Sequence, residues 1–447
     1  MTGLSALIDN SRTLLLAKNI VVSFFIKGWS AAVVLLMVPL TLKCLGIYQN
    51  GVWLTISSML VWIDQMDIGL GNGLRNKLAV SVAQGDMKGA RQVVSSTFAL
   101  LCLLIIPVLM ILLLLIWKCD IYSFLNVEEQ IIPELRVALT SAVTLVCGTF
   151  VFKFIGNVYM GMQLPAATNL INAVGQTVAL AATWLLFVAD RADFLSVVTV
   201  NAAAPMAVYM LAYPYTFHWK YPELKPAIAC VNIHTALGLA NLGVKFFWIQ
   251  IASVVQFMTA NILISKFFTP QMVTPYQVAY RYMNLVMVLF TVVCMPFWNA
   301  TTDAYTRNDM RWIAWADRKM TQLSLLILLA LLLMTLMSPW VYRVWIGDAD
   351  LVPFGMTCMV AAYIFLLILS MRYSYFLNGI GAMQLQLYMT VSAVIFIPLA
   401  WVACRYTNDI MWFLAVMCFC NLPGLIVNVI QFNKILKGKA KGIWRIR

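Results

Sequence analysis

Long apolar stretches recur along the whole chain and are separated by short polar connections. Each stretch holds about 20 residues or more with few charges, which is the length that an α-helix needs to cross a bilayer. The pattern predicts twelve membrane-spanning helices. They lie at about 19–43, 51–72, 93–117, 134–160, 166–189, 194–216, 241–266, 275–299, 319–345, 353–378, 384–404 and 409–432.

The composition supports this membrane assignment. Of the 447 residues, 63% are hydrophobic and only 11% are charged, and the mean hydropathy is +0.88. A soluble domain of this size is far more polar. No connection is long enough for a separate water-soluble domain. The sequence therefore predicts an all-α polytopic membrane protein.

The distribution of Lys and Arg gives the orientation. If the N-terminus is cytoplasmic, the cytoplasmic connections and the tail carry far more basic residues than the opposite face does. We therefore expect both termini on the cytoplasmic side of the membrane. The net charge of +13 lies mostly in these membrane-flanking segments, where anionic lipid headgroups attract it. It does not indicate nucleic-acid binding.

Three short segments repeat in order along the chain, at a spacing of about half its length that is nearly the same for all three. The chain is therefore predicted to be two copies of a six-helix lobe. The expected parts are an N-terminal segment 1–18, an N-lobe 19–216, a linker 217–240, a C-lobe 241–432 and a basic tail 433–447. Duplicated bundles of this kind are typical of alternating-access carriers, whose site lies where the repeats meet. The matching pairs are 19–25 with 241–247, 84–87 with 307–310, and 157–164 with 378–385.

Catalytic chemistry has little support in the sequence. The longest connection on the outer face offers Asp120, Glu128 and Glu129, which are typical of a solvated turn. The histidines His218 and His234 share one cytoplasmic connection and have no partners at metal-ligand spacing. We therefore expect neither an enzyme nor a metal site.

Seven charged side chains fall inside the predicted spans, where a charge is costly and usually faces a cavity or a partner. Each basic side chain has two open interpretations. It lines the lumen of the carrier, or it extends along the helix so that its charge reaches the membrane surface. The five basic and two acidic residues are Lys27, Lys153, Lys245, Arg281, Arg372, Asp64 and Asp67.

Lys27, Lys153 and Arg372 lie at matching depth, about two helical turns inside the cytoplasmic face. Cations from both lobes would then face a shared lumen, and such groups pair well with phosphate oxygens. We predict that these three residues bind an anionic substrate. Lys245, about one turn inside its span, and Arg281, flanked by two tyrosines, are weaker candidates because snorkelling explains them equally well.

Asp64 and Asp67 are about one helical turn apart and therefore share a face. They either neutralise nearby cations such as Lys27 and Arg75, or form a proton or sodium coupling site. Pairing with cations is the simpler interpretation.

The connections after spans 2 and 8 are equivalent in the repeat, basic and predicted to be amphipathic. A Gly or Asn before Asp86 and Asp309 indicates a turn, after which each Asp caps the next helix. Their symmetric placement, together with Arg75 and Arg307, also suits the two sides of a cytoplasmic gate.

Three segments resemble the polysaccharide-transport branch of the multidrug/oligosaccharidyl-lipid/polysaccharide (MOP) exporter superfamily. They are 38–42 (VPLTL), 67–79 (DIGLGNGLRNKLA) and 84–86 (QGD). The Wzx-type members of that branch flip undecaprenyl-diphosphate-linked repeat units of O-antigen lipopolysaccharide or capsule. The resemblance covers nearly the whole chain and is strongest in its first hundred residues.

This resemblance implies a 12-helix, two-lobed flippase in the bacterial inner membrane. Its central cavity would be lined by basic residues, and no cofactor is expected. A proton or sodium gradient or the membrane potential would drive it. The implied partners are an anionic lipid-linked oligosaccharide, membrane lipids, and polysaccharide polymerase and chain-length machinery. Two alternatives remain: a multidrug antiporter of the same fold, and a non-transporting scaffold of a polysaccharide assembly complex. The lipid II flippase branch typically has two more helices.

Overall fold

The computed structural model describes residues 2–64, 70–232, 235–236, 259–382, 384–389, 391–407 and 409–444. Regular secondary structure within these ranges is helical throughout. The chain forms two compact units, Met1–Gln250 and Ile251–Arg447.

The first unit contains eight described α-helices, followed by a short irregular segment with one π-helical turn, Tyr215–Lys220, and two 3₁₀ turns, Pro222–Leu224 and Ile228–Cys230. The helices are α1 Thr2–Asp64, α2 Leu70–Ala83, α3 Met87–Lys118, α4 Ile121–Leu125, α5 Leu135–Phe152, α6 Phe154–Gly161, α7 Pro165–Val188 and α8 Phe194–Pro214.

The described part of the second unit runs from helical residues at 259–267 to a 3₁₀ turn at Gly442–Trp444. Between them lie α9 Pro270–Thr306, α10 Met310–Trp345, α11 Phe354–Ile380, α12 Gln384–Met389, α13 Val391–Thr407 and α14 Ile410–Leu436.

Helix α1 is long enough for two membrane crossings. Its apolar part, Val22–Ile63, has 42 residues and would be about 63 Å long if straight, about twice the thickness of a bilayer core. The helix is interrupted at Gly46, whose φ of 67° and ψ of 179° suit a residue without a side chain. This interruption lies between the first two predicted spans.

Eight of the described helical segments are long and apolar enough to cross a membrane, and Val22–Ile63 is one of them. Helix α3 shows how they are built. Its outer face exposes large apolar side chains such as Leu103, whereas the polar side chains Ser95, Ser96 and Thr97 are buried within the unit. A helix that exposes leucine and buries hydroxyl groups suits a lipid environment. The prediction of an all-α polytopic membrane protein is confirmed.

The segment that follows α8 packs on α3. The Lys225 carbonyl accepts a hydrogen bond from Arg91 Nε at 2.9 Å, and the Ala227 N–H donates to Ser95 Oγ at 3.1 Å. Ser96 Oγ accepts from the Asn232 N–H at 3.0 Å. This part of the predicted linker is therefore attached to the first unit.

The turns before α3 and α10 have the same geometry. Gly85 and Asn308 adopt positive φ values of 74° and 58°, and the following residues, Asp86 and Asp309, cap the two helices. Each carboxylate accepts a hydrogen bond from the N–H three residues later, at 2.9 and 3.0 Å. The predicted turns and caps are confirmed, and they pair Asp86 with Asp309 as the sequence repeat does.

The turns after α6 and α11 are also equivalent, but not in the register that the sequence suggested. Gln163 and Gly381 have positive φ, and in each turn the next N–H donates to the carbonyl five residues earlier at 2.8 Å. The turns therefore pair Gln163 with Gly381. The predicted pairing of Asn157 with Asn378 was wrong by three residues, because Asn378 corresponds to Met160. A short match in similar apolar sequence does not fix the register of a turn, whereas its hydrogen bonds do.

A glycine lies at the same point of each lobe, two residues before the turn. Gly161 packs on α2, where an added Cβ would lie 3.2 Å from the Arg75 carbonyl oxygen. Gly379 packs on α9, where a Cβ would lie 2.9 Å from the Trp298 carbonyl oxygen. Arg75 and Trp298 are themselves equivalent, because each precedes its helix-capping aspartate by eleven positions. The two units therefore share local architecture.

Candidate functional site

Arg372 is a buried charge on α11, with 4% of its surface exposed. Its Nη2 donates to the Asp317 carboxylate, to the Asp317 carbonyl oxygen at 3.0 Å and to Thr321 Oγ1 at 2.6 Å, all on α10. The guanidinium carbon also lies 4.8 Å from the centre of the Tyr373 ring. Arg372 is therefore paired inside the second unit.

Helix geometry explains this arrangement. Asp317 and Thr321 are four residues apart, so both face the same neighbour. Asp317 follows the cap of α10 by eight residues, and Arg372 precedes the end of α11 by eight, so each lies about 12 Å inside its helix. At that depth a lone charge is costly, and pairing reduces the cost.

The guanidinium retains unused hydrogen-bonding capacity. Arg372 Nε is buried and has no hydrogen-bond partner. Arg372 lines a narrow cleft together with Cys294, Phe297, Met320, Tyr375 and Phe376. This lining offers few acceptors, so the Nε–H remains unsatisfied in a mainly apolar environment.

Asp317 is a site residue that the sequence analysis missed. The ninth span was predicted to start at 319, which left Asp317 outside the membrane. Helix α10 starts at Met310, directly after its cap Asp309. Starting the helix at the predicted cap would have placed Asp317 and Thr321 on one face of the span, next to a cation in need of a partner.

The other two predicted cavity cations lie in the first unit. Lys27 is exposed on α1, and Lys153 is half-buried at the break between α5 and α6. In the register of the turns, Arg372 corresponds to Phe154 rather than to Lys153. A shared cationic lumen formed by Lys27, Lys153 and Arg372 stays a prediction.

The weaker candidates are described only in part. Arg281 is half-buried on α9, and the hydroxyl of the adjacent Tyr282 donates to the Met334 carbonyl at 3.2 Å. Asp64 is the last residue of α1, but its side chain lies outside the described residues. Asp67 and Lys245 also lie outside them. A coupling role for the two acids stays a prediction.

Three of the four proposed gate residues, Asp86, Arg307 and Asp309, lie at helix ends, whereas Arg75 lies within α2. Arg75 is exposed on α2, and Arg307 donates from Nε to Asp303 on the preceding turn of α9 at 2.9 Å. Asp86 and Asp309 serve as helix caps. These contacts give Asp86, Arg307 and Asp309 structural roles, and the gate itself stays a prediction.

An apolar groove of about 450 Å³ runs between α1 and α7. The Trp29 indole spans it by donating to Thr177 Oγ1 at 2.9 Å. Its size and lining can hold a ring or an alkyl chain. The lining includes Phe25, Ile26, Leu170, Val174 and Val178.

No protein-family model matches the chain, and no curated protein matches its sequence. Solved structures do match. An inward-facing multidrug resistance MATE family transporter of the MOP superfamily has a TM-score of 0.71 at 14% identity, over 94% of this chain and 96% of the other. An outward-facing MATE transporter has a TM-score of 0.60 at 15% identity, over 93% and 97%.

A third match is a MOP superfamily transporter from Pyrococcus furiosus, for which the reverse polarity of its binding pocket suggests a different function. It has a TM-score of 0.61 at 14% identity, over 93% of this chain and 97% of the other. At sequence identities this low, the matches establish only a shared fold. The chain therefore has the two-lobed fold of about twelve helices found in MATE transporters of the MOP superfamily.

Proposed function

We propose that this protein is an alternating-access transporter that moves its substrate without changing it chemically. The likeness to MATE structures over 94% of the chain carries the proposal. Transporters of this fold have been solved facing inward and facing outward, as alternating access requires. We place it in the bacterial inner membrane, and the positive-inside pattern supports an orientation with both termini in the cytoplasm.

The first substrate class is small organic compounds that are exported from the cell. It is supported by the matching structures, which include multidrug resistance transporters. The groove between α1 and α7 can hold an apolar ring or chain. A cationic compound also needs a carboxylate, and Asp64 and Asp67 are the candidates for it.

The second substrate class is an anionic lipid-linked oligosaccharide, flipped to the outer leaflet. The basic excess within the spans favours it, above all the buried Arg372. The Pyrococcus furiosus transporter shows that reverse pocket polarity accompanies this fold in at least one other protein. Polysaccharide polymerase and chain-length proteins would be partners in this case.

Two bacterial hosts can separate the substrate classes. One lacks its own drug efflux pumps, and the other lacks its repeat-unit flippase. Drug export predicts resistance to organic cations in the first host, whereas flipping predicts restored surface polysaccharide in the second. An inserted and folded protein that does neither would contradict both classes. Exposed Arg318, changed to Gln, is a control for nonspecific effects of charge removal.

A further inference from the structure

The two lobes have different side chains at one equivalent contact between helices. Counted from the paired caps Asp86 and Asp309, Asp317 corresponds to Val94 and Thr321 corresponds to Phe98. Counted back from the paired turns after α6 and α11, Arg372 corresponds to Phe154. Where the second unit has an ion pair, the first therefore has apolar side chains.

Contacts within the first unit support this correspondence. Phe98 and Phe154 have their ring centroids 5.0 Å apart, so they touch just as Thr321 and Arg372 do. Val94 and Phe154 are buried in the apolar core of their unit. The same helix contact is thus closed by two aromatic rings in one lobe and by a guanidinium with its partners in the other.

This difference indicates that the fold does not require the charges. Replacing a buried ion pair by apolar side chains of similar size is often neutral or stabilising. The pair also leaves Arg372 Nε unsatisfied, a deficit that the aromatic pair avoids. A costly charge that the fold does not require suggests a role in function.

The exposure of the two partners differs. Arg372 is 4% exposed, whereas the Asp317 side chain is 22% exposed. The carboxylate therefore has a path to solvent, whereas the guanidinium is fixed by its surroundings. An incoming anion would find a fixed cation and a displaceable counterion.

We propose that Arg372 is an anion-binding group that Asp317 occupies in the empty carrier. A phosphate or diphosphate group of the substrate binds Arg372 by displacing the Asp317 carboxylate. The free Nε–H and the released Nη2 supply the paired donors that suit phosphate oxygens. This inference rests on the second substrate class above and adds Asp317 as the residue that sets affinity.

Binding to the purified full-length protein in detergent tests the inference. The probe is farnesyl diphosphate, and farnesol and inorganic diphosphate separate the contributions of tail and headgroup. Arg372→Gln is expected to weaken diphosphate binding more than tenfold. Asp317→Asn removes the competing charge and keeps the shape of the side chain, so it is expected to tighten diphosphate binding. The gain is about tenfold if the Arg372–Asp317 pair is open in about one empty carrier in ten.

The result for Asp317→Asn decides between displacement and other roles. Unchanged or weaker diphosphate binding by Asp317→Asn would overturn the proposal. It would also be overturned if this variant lost binding of organic cations without gaining binding of diphosphate. Arg318→Gln, one residue away and exposed, is the matched control and should bind as the original protein does.

A second variant carries the apolar residues that the first unit has at the equivalent positions. It combines Asp317→Val, Thr321→Phe and Arg372→Phe. It is expected to fold and to lose diphosphate binding. Retained binding would overturn the proposal. Tighter binding by Asp317→Asn in a protein that transports nothing would uphold this site and contradict the proposed function. If the protein transports a substrate but Asp317→Asn does not change diphosphate affinity, the proposed function would stand and this site would be contradicted.

Discussion

Two kinds of single-residue contact stand out in this protein: a buried charge with its partners, and a helix cap prepared by the turn before it. Arg372 relies on Asp317 and Thr321, and the turn residues Gly85 and Asn308 prepare the caps Asp86 and Asp309. Because these contacts are local, their contributions can be measured one variant at a time.

The Arg372–Asp317 pair predicts an asymmetric response to truncation. Asp317→Ala leaves a buried cation without its partner and should destabilise the protein by about 3 kcal/mol. Arg372→Ala leaves a carboxylate that has access to solvent and should cost less. Thermal unfolding in detergent measures both. Equal losses, or a larger loss for Arg372→Ala, would contradict the buried geometry.

The caps predict a difference between Ala and Asn. Asp86→Ala and Asp309→Ala should each cost about 1 kcal/mol, whereas Asn preserves the side-chain acceptor and should cost little. Hydrogen exchange at the capped amides of Gly89 and Trp312 reports this directly. If these two amides exchanged as slowly in the Ala variants as in the original protein, the two aspartates would not cap the helices. Loss of transport in a stable Asn variant would instead support the gate.

At the level of helices, the two equivalent glycines, Gly161 and Gly379, differ in how closely the backbone of the neighbouring helix approaches them. A Cβ at Gly161 would lie 2.9 Å from a methyl group of Leu78, and its nearest backbone neighbour, the Arg75 carbonyl oxygen, would be 3.2 Å away. A Cβ at Gly379 would lie 2.9 Å from the Trp298 carbonyl oxygen, which belongs to a helix backbone. The second crossing is therefore less tolerant.

Gly379→Ala is expected to destabilise the protein by about 1 to 3 kcal/mol, and Gly161→Ala by less. Gly424→Ala is the control, because its added Cβ would meet nothing within 4 Å. Thermal unfolding of the three variants is the measurement. Equal stability of Gly379→Ala and Gly424→Ala would show that the α9–α11 crossing is looser than described.

The sequence predicted most of these elements, because a span of about 20 apolar residues has few other structures open to it in a membrane. The turns and caps followed from Gly85, Asn308 and the aspartates after them. The Asn157 register was wrong because apolar sequence is repetitive. Asp317 was missed because hydropathy places the start of a span by its apolar residues, whereas the helix begins at its cap.

At the scale of the whole molecule, the two units share turns, caps and glycine contacts but differ in charge at one equivalent contact. Two copies of one lobe are the usual basis of alternating access. Among the described residues, this contact holds an ion pair in the second unit and a pair of aromatic rings in the first. Such asymmetry could not be predicted from the repeat, which reveals what the copies share.

Transport by this protein can be measured as flux in sealed proteoliposomes. Purified protein is reconstituted, and movement of a labelled prenyl-diphosphate oligosaccharide between leaflets and of a labelled organic cation across the bilayer is followed. We expect saturable flux of one of the two substrates, faster than in protein-free liposomes. Flux no faster than in protein-free liposomes for both substrates, with folded and inserted protein, would contradict this expectation.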